Sequence, residues 1–152
     1  MPMLKDKFPT YEGFAKSLLK DIYTEQKLQA CGELVATELA SGLLINDGEG
    51  RFTFTPLPRL AQIAPIHAMI QLGDLVVCAQ NDFTPEPETG RHDGGAGLVL
   101  RVADGQLLVV PPSQHGIDAP GDHRGLVLAE PARALLFARN GGTLHGWRPA
   151  DR

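Results

Sequence analysis

Leu43-Leu44-Ile45-Asn46-Asp47-Gly48-Glu49-Gly50-Arg51-Phe52-Thr53-Phe54, followed by Pro56-Leu57-Pro58, decides how the rest of the chain is read. Two short apolar runs flank a cluster of Asn, Asp and Gly, the composition of a β-hairpin whose turn needs left-handed backbone. A second version follows as Leu98-Val99-Leu100-Arg101-Val102-Ala103-Asp104-Gly105-Gln106-Leu107-Leu108, then Val110-Pro111-Pro112. The two lie about 55 residues apart, too far for a single hairpin and suited to a unit of four antiparallel strands.

Working outward, the alternation of short apolar runs with Gly, Asp, Asn and Pro predicts nine strands, at 38–45, 51–57, 66–72, 75–79, 97–102, 106–110, 125–130, 134–138 and 143–147. Gly73-Asp74, Ala103-Asp104-Gly105, Pro131-Ala132 and Asn140-Gly141-Gly142 are further turns. The connection 81–95 is long for a plain link, so it is a candidate functional loop. Before the strands, Phe14, Leu18, Ile22 and Leu28 recur at helical spacing within 10–30, with Thr10 as N-cap and Gly32 as stop. The expected architecture is mostly β: propeller-blade-like antiparallel sheets, about two blades, preceded by one amphipathic α-helix. Residues 1–32 form the helical segment and 33–152 the β domain.

A chain of 152 residues with 43% hydrophobic and 21% charged residues is long enough for one folded core. Its formal net charge of -4 gives no reason to expect binding to phosphate backbones or anionic lipid, so neither nucleic acid nor membrane is an expected partner. Cys31 and Cys78 lack metal-ligand spacing and are expected as free thiols. The N-terminal residues carry no apolar run of the kind a secretory signal needs, which by itself points to the cytoplasm.

His67, His92, His115, His123 and His145 show no HxH, HxxxH or HExxH spacing, so no metal site and no cofactor is expected. Glu88-Thr89-Gly90-Arg91-His92-Asp93 places a base, an acid and a guanidinium close together, as acid/base chemistry requires. A loop closed by an ion pair from Arg91 to Asp93 or Glu88 explains the same residues, and that reading is preferred. Asp82, Glu88, Arg91, His92 and Asp93 are the candidate ligand- or partner-binding loop; His67, Arg91, His92 and Asp93 are the polar set of a catalytic alternative. Ser113-Gln114-His115 does not make a triad, and Gly94-Gly95-Ala96-Gly97 precedes a strand, where glycine serves close backbone approach and not phosphate binding.

The hairpin repeat, together with Phe8-Pro9-Thr10-Tyr11-Glu12-Gly13-Phe14-Ala15, Leu39-Ala40-Ser41-Gly42, Ala61-Gln62-Ile63-Ala64-Pro65 and Glu88 to Asp93, resembles the FG-GAP or VCBS-type repeat proteins, especially the C-terminal region of bacterial members associated with the ASPIC/UnbV family. The resemblance covers most of the chain. It implies four-stranded blades about an axis, an extracellular interaction scaffold, and a secreted parent, which leaves location open. The family's Asp-rich calcium loop is not matched: Leu72-Gly73-Asp74-Leu75 and Ala129-Glu130-Pro131-Ala132 offer one carboxylate each, where calcium takes six to eight oxygens. Two outer strands, one whole blade and three inner strands cannot close a ring. The expected function is therefore a non-catalytic scaffolding module that self-associates or is completed by blades of a parent chain. The alternative is a small β-barrel enzyme or ligand-binding protein using the 82–93 loop.

Overall fold

The computed structural model describes residues 2–148. The chain divides into two compact units, Met1–Leu39 and Ala40–Arg152. In the first, helical structure falls where the periodicity put it, but not as one helix. Among the described residues α1 (Pro2–Lys7) precedes the expected span, and three short helices, α2 (Tyr11–Ala15), α3 (Leu19–Ile22) and α4 (Glu25–Gln29), take the place of the single one. Thr10 caps the start as expected, and two further caps inside the run break it. Thr10 Oγ1 accepts from the Gly13 amide and Thr24 Oγ1 from the Lys27 amide, while Asp21 accepts from the Leu18 amide at 2.8 Å. Each cap satisfies amides that a continuous helix would have bonded to carbonyls, so a new helix starts at each. The last turn ends at Ala30, ahead of Gly32.

Among the described residues the second unit carries nine antiparallel strands. They are β1 (Gly42–Asn46), β2 (Phe52–Pro56), β3 (Ile66–Leu72), β4 (Leu75–Gln80), β5 (Leu98–Ala103), β6 (Gln106–Val109), β7 (His123–Ala129), β8 (Ala134–Arg139) and β9 (His145–Trp147). They form a two-stranded sheet β1-β2, a four-stranded sheet β3-β4-β5-β6 and a three-stranded sheet β7-β8-β9. No sheet closes into a barrel among the described residues. Residues 38–41, expected within the first strand, precede it, and Leu39 is exposed.

The middle strands β4 and β5 are buried on both faces along Val77–Gln80 and Leu98–Leu100, and their period-2 alternation sorts side chains between the faces. Val77, Ala79 and Val99 join Leu126, Leu135 and Phe137 of the three-stranded sheet in one cluster. Their neighbours Cys78, Leu98 and Leu100 point the other way, into a cluster with Leu57 and Ala61 that Leu43 also packs against. Burial pushes the Cys78 thiol up to about 12.

Hydrogen bonds expose a repeat that crosses the sheets. The Leu57 amide donates to the Ser41 carbonyl at 2.9 Å, and the Val110 amide donates to the Val99 carbonyl at 2.9 Å. Each is followed by proline and a helical turn closed from the Pro58 and Pro111 carbonyls, the second turn being α5 (Pro112–His115). Inner hairpins then match in turn. Both β3 and β7 start with a bulge, between Ile66 and Ala68 and between His123 and Gly125. The Asn81 amide donates to Pro65, and the Asn140 amide to Asp122, closing the far end of each hairpin. The repeating unit is thus an outer hairpin, a helical turn and the inner hairpin of the next sheet. This structural equivalence sets Ser41 against Val99, so Leu43 corresponds to Arg101 and not to Leu98 as the sequence alignment has it; the longer Asn46–Gly50 turn absorbs the difference.

Truncating Phe137, 1% exposed, to Ala is expected to cost about 3–5 kcal/mol in denaturant unfolding, whereas exposed Leu144→Ala should stay within about 0.5 kcal/mol.

Candidate functional site

Because each inner hairpin begins at a bulge, the bulged residues His67 and Arg124 re-aim toward one another instead of along their sheets. Arg124 Nη1 donates to His67 Nε2 at 3.1 Å. The rest of the guanidinium is shared by two carboxylates. Nη2 donates to Asp82 Oδ1 and, at 3.0 Å, to Asp122 Oδ2, while Nε lies 2.6 Å from Asp122 Oδ1, close but poorly aligned for a hydrogen bond. Asn140 Nδ2 completes Asp122 at 3.1 Å.

Asp122 is 1% exposed, so its charge survives there only because it is paired. Burial pushes its carboxyl upward, but the hydrogen bonds from Arg124 and Asn140 outweigh that and leave it below the usual range. Asp82 is also held well below it, first by the Thr84 hydroxyl and amide and then by Arg124. The Asp122 hydrogen bond, ahead of the Asp82 one, raises Arg124 further against its burial.

Asn81 ties the long loop to this cluster. Its backbone sits at φ 83, and its buried amide group donates to the Gly95 and Gly121 carbonyls at 2.7 and 3.0 Å. Its Oδ1 accepts from the Gly95 amide at 2.8 Å. A Cβ at Gly95 would lie 2.9 Å from that Oδ1, so glycine is needed for the approach, as expected for the end of the loop.

Of the residues singled out from sequence, His67 and Asp82 meet at Arg124. The others do not join them. Glu88, Arg91, His92 and Asp93 are exposed. His92 contributes only its backbone, exchanging two 2.9 Å hydrogen bonds with Asp82. Among the described residues Arg91 forms no ion pair with Asp93 or Glu88; its guanidinium lies over the Phe83 ring, 4.8 Å from the centroid. His115 Nδ1 accepts from the Ile117 amide at 3.0 Å, so this histidine finishes a helical turn. Asp122, Arg124, Asn81 and Asn140 were not among the expected site residues. Their one sequence signal is the match of Ala79-Gln80-Asn81 with Ala138-Arg139-Asn140 at the ends of equivalent strands.

His123 is fully buried beside this cluster, edge-on to Phe137 with ring centroids 5.5 Å apart and 5.4 Å from His145. Neither ring nitrogen has a hydrogen bond of standard geometry. Burial lowers its pKa, helped by electrostatic repulsion from the neighbouring His145 and Arg139 side chains, against the weaker opposing pull of the Gly121 backbone and Asp122.

No three His, Cys, Asp or Glu side chains among the described residues converge as a metal site. A shallow groove of about 340 Å³ runs between Leu43, Pro56 and Leu57 on one side and Leu107 and Leu108 on the other. A second, of about 470 Å³, lies within the helical unit, lined by Leu4, Phe8, Tyr11 and Phe14. Neither borders Arg124. Chemically, the cluster is a closed electrostatic clamp: both carboxylates and the guanidinium are consumed by one another, leaving no poised acid, base or nucleophile. No family model, curated protein or solved structure matches this chain.

Arg124→Met is expected to cost about 3–5 kcal/mol, because it leaves Asp122 buried without its cation, whereas Asp82→Asn at the wetter end should cost much less. Both are read from urea unfolding at neutral pH.

Acid should weaken the β unit in two stages. His123 and His115 have lowered pKa values in the fold, so below about 6.5 the unfolded chain binds protons that the native state resists, and stability falls as pH drops toward the native values. The contributions of Asp82 and Asp122 are complete above about pH 4 and are lost as pH falls further toward their depressed native values. His123→Phe should reduce the first stage and leave the second, as followed by thermal melts across pH.

Proposed function

We propose that this chain is a non-catalytic interaction and scaffolding module of the FG-GAP repeat type, whose sheets stack as propeller blades do and which works by self-association. The observation that carries this reading is the unit that straddles neighbouring sheets: an outer hairpin of one sheet, a helical turn and the inner hairpin of the next. A chain built of such units joins each sheet to its neighbour and ends in partial sheets at both sides. The stacking order of two strands, four strands and three strands supports the resemblance drawn from the hairpin motifs.

The catalytic alternative draws no support from the positions of His67, Arg91, His92 and Asp93. His67 is engaged by Arg124, and the other three stand exposed on the loop. Catalysis needs groups left free to act on a substrate, and a saturated ion pair is the opposite arrangement.

Light scattering on the purified chain tests the reading, with calcium and with chelator. The expected result is a mass above 16.4 kDa that grows with protein concentration and does not respond to calcium. A species that stays at the monomer mass across the concentration range overturns self-association.

A further inference from the structure

The repeat defines not only what is present but what each incomplete sheet lacks. In the four-stranded sheet β4 pairs with β5, with Val76 opposite Leu100, Val77 opposite Val99 and Cys78 opposite Leu98. In the three-stranded sheet β8 pairs with β9, with Leu135 opposite Trp147, Leu136 opposite Gly146 and Phe137 opposite His145. Strand β8 is the equivalent of β4, so β9 occupies the place of β5. Strand β1 is also the equivalent of β5, because Ser41 bonds to Leu57 as Val99 bonds to Val110. The second edge of β1 carries no strand among the described residues. Two segments of the chain are thus built for one position, and β9 holds it with only three residues.

We infer that β1 of a second copy of this chain takes the place of β9 on β8, making a four-stranded sheet from the inner hairpin β7-β8 of one copy and the outer hairpin β1-β2 of the next. This rests on the self-associating reading and gives it a register: Leu43 opposite Ala134, Gly42 opposite Leu135 and Ser41 opposite Leu136.

Exposed apolar side chains mark the faces such a sheet would cover. Leu44, Phe52 and Phe54 stand on the outer face of β1-β2, at 68%, 61% and 38% exposure. That face corresponds to the one on the four-stranded sheet that carries the buried Leu98 and Leu100. Placed beside β8, it continues the layer that Leu135 and Phe137 already lay against the four-stranded sheet, and it meets Leu108, which is 50% exposed on the stretch of β6 that the three-stranded sheet is too narrow to reach. On the far side, Val127 is 57% exposed and Met69 56% exposed. The same stacking brings Val127 of one copy onto Met69 of the next. Exposed long apolar surfaces of complementary position, on a head-to-tail contact, generate rings when the rotation closes. Each copy then contributes two whole sheets, so closed rings of two, three or four copies hold four, six or eight, the usual range for propellers.

Cysteine cross-linking reads the register directly. The Ser41 amide and carbonyl both bond on the β2 and Gln62 side, so Ser41 meets β8 as a non-hydrogen-bonded pair, where side chains come closest and a disulfide can form. In a Cys31→Ser background, copies carrying Ser41→Cys are mixed with copies carrying Leu136→Cys and oxidised gently. The expected result is a mixed disulfide between the two kinds of copy, and none from the off-register mixture of Leu43→Cys with Ala138→Cys. Val127→Glu and Met69→Glu, both on exposed positions, should each shift the light-scattering mass toward the monomer without lowering the unfolding midpoint of the monomer. Association without the mixed disulfide, or with equal linking off register, overturns this sheet while leaving self-association standing. A monomer at every concentration overturns both and assigns the β1 edge to a strand of a different chain.

Discussion

Two-sided burial of the strands β4 and β5 is the constraint on which the rest of the β unit depends. Successive residues along Leu75–Ala79 and Leu98–Leu100 alternate between two hydrophobic clusters, one shared with the three-stranded sheet and one with Leu57, Ala61 and the β1-β2 hairpin. A sheet whose two faces are both apolar cannot stand alone in water, and stripping either neighbour would expose a continuous row of Val, Leu and Phe. That requirement, and not the intrinsic stability of a two-stranded or three-stranded sheet, holds the outer sheets in place, since isolated hairpins are marginal.

The polar end of the unit answers a second requirement. Hydrophobic stacking is nondirectional, and it does not by itself fix how far one sheet slides along the next. The clamp of Arg124 between Asp82 and Asp122, with His67 from the neighbouring sheet on its remaining edge, is directional and ties named groups of the two sheets to one another. Replacing such a cluster by apolar residues of similar volume is often neutral or stabilising, so its worth lies in register between sheets and in anchoring the 81–95 loop through Asn81. The bulges at the starts of β3 and β7 make it possible by turning His67 and Arg124 out of the regular ladder.

Strand number and pairing were legible because they rest on local signals. Period-2 apolar runs and turn residues such as Asn46-Asp47-Gly48 and Ala103-Asp104-Gly105 act over a few residues, and Asp104 and Gly105 do adopt the left-handed backbone their turn needs. The N-terminal helix was misread because periodicity of Phe14, Leu18 and Ile22 was weighed above the competing caps that Asp21 gives the Leu18 amide and Thr24 the Lys27 amide, side chains that offer the backbone another partner. The clamp was half legible. His67 was singled out in the polar set of the catalytic alternative and Asp82 in the candidate loop, but nothing local in the sequence marks Asp122 and Arg124, which precede the expected strand 125–130. Only the fold brings Arg124 to His67, 57 residues away in sequence. The exposed acid, base and guanidinium of 88–93 drew attention for closeness in sequence, which in an open loop says little about closeness in space.

The two ends of the β unit differ in a way that bears on how it meets a partner. At the β1 edge, Gly42 lies beneath the Phe54 ring, so that an added Cβ would strike the ring, and the aromatic face covers backbone that no strand among the described residues partners. At the opposite end β9 covers the β8 edge with three residues, and Trp147 reaches the core. One edge is therefore open and lightly shielded, the other occupied but by the shortest strand in the fold. Natural sheets protect open edges with charge, proline or bulges, and β1 offers Leu43, Leu44 and Ile45 instead. An edge of that composition is costly to leave in water, and in the self-association proposed above two ends that present different surfaces would pair head to tail, with closure decided by the rotation between neighbouring sheets.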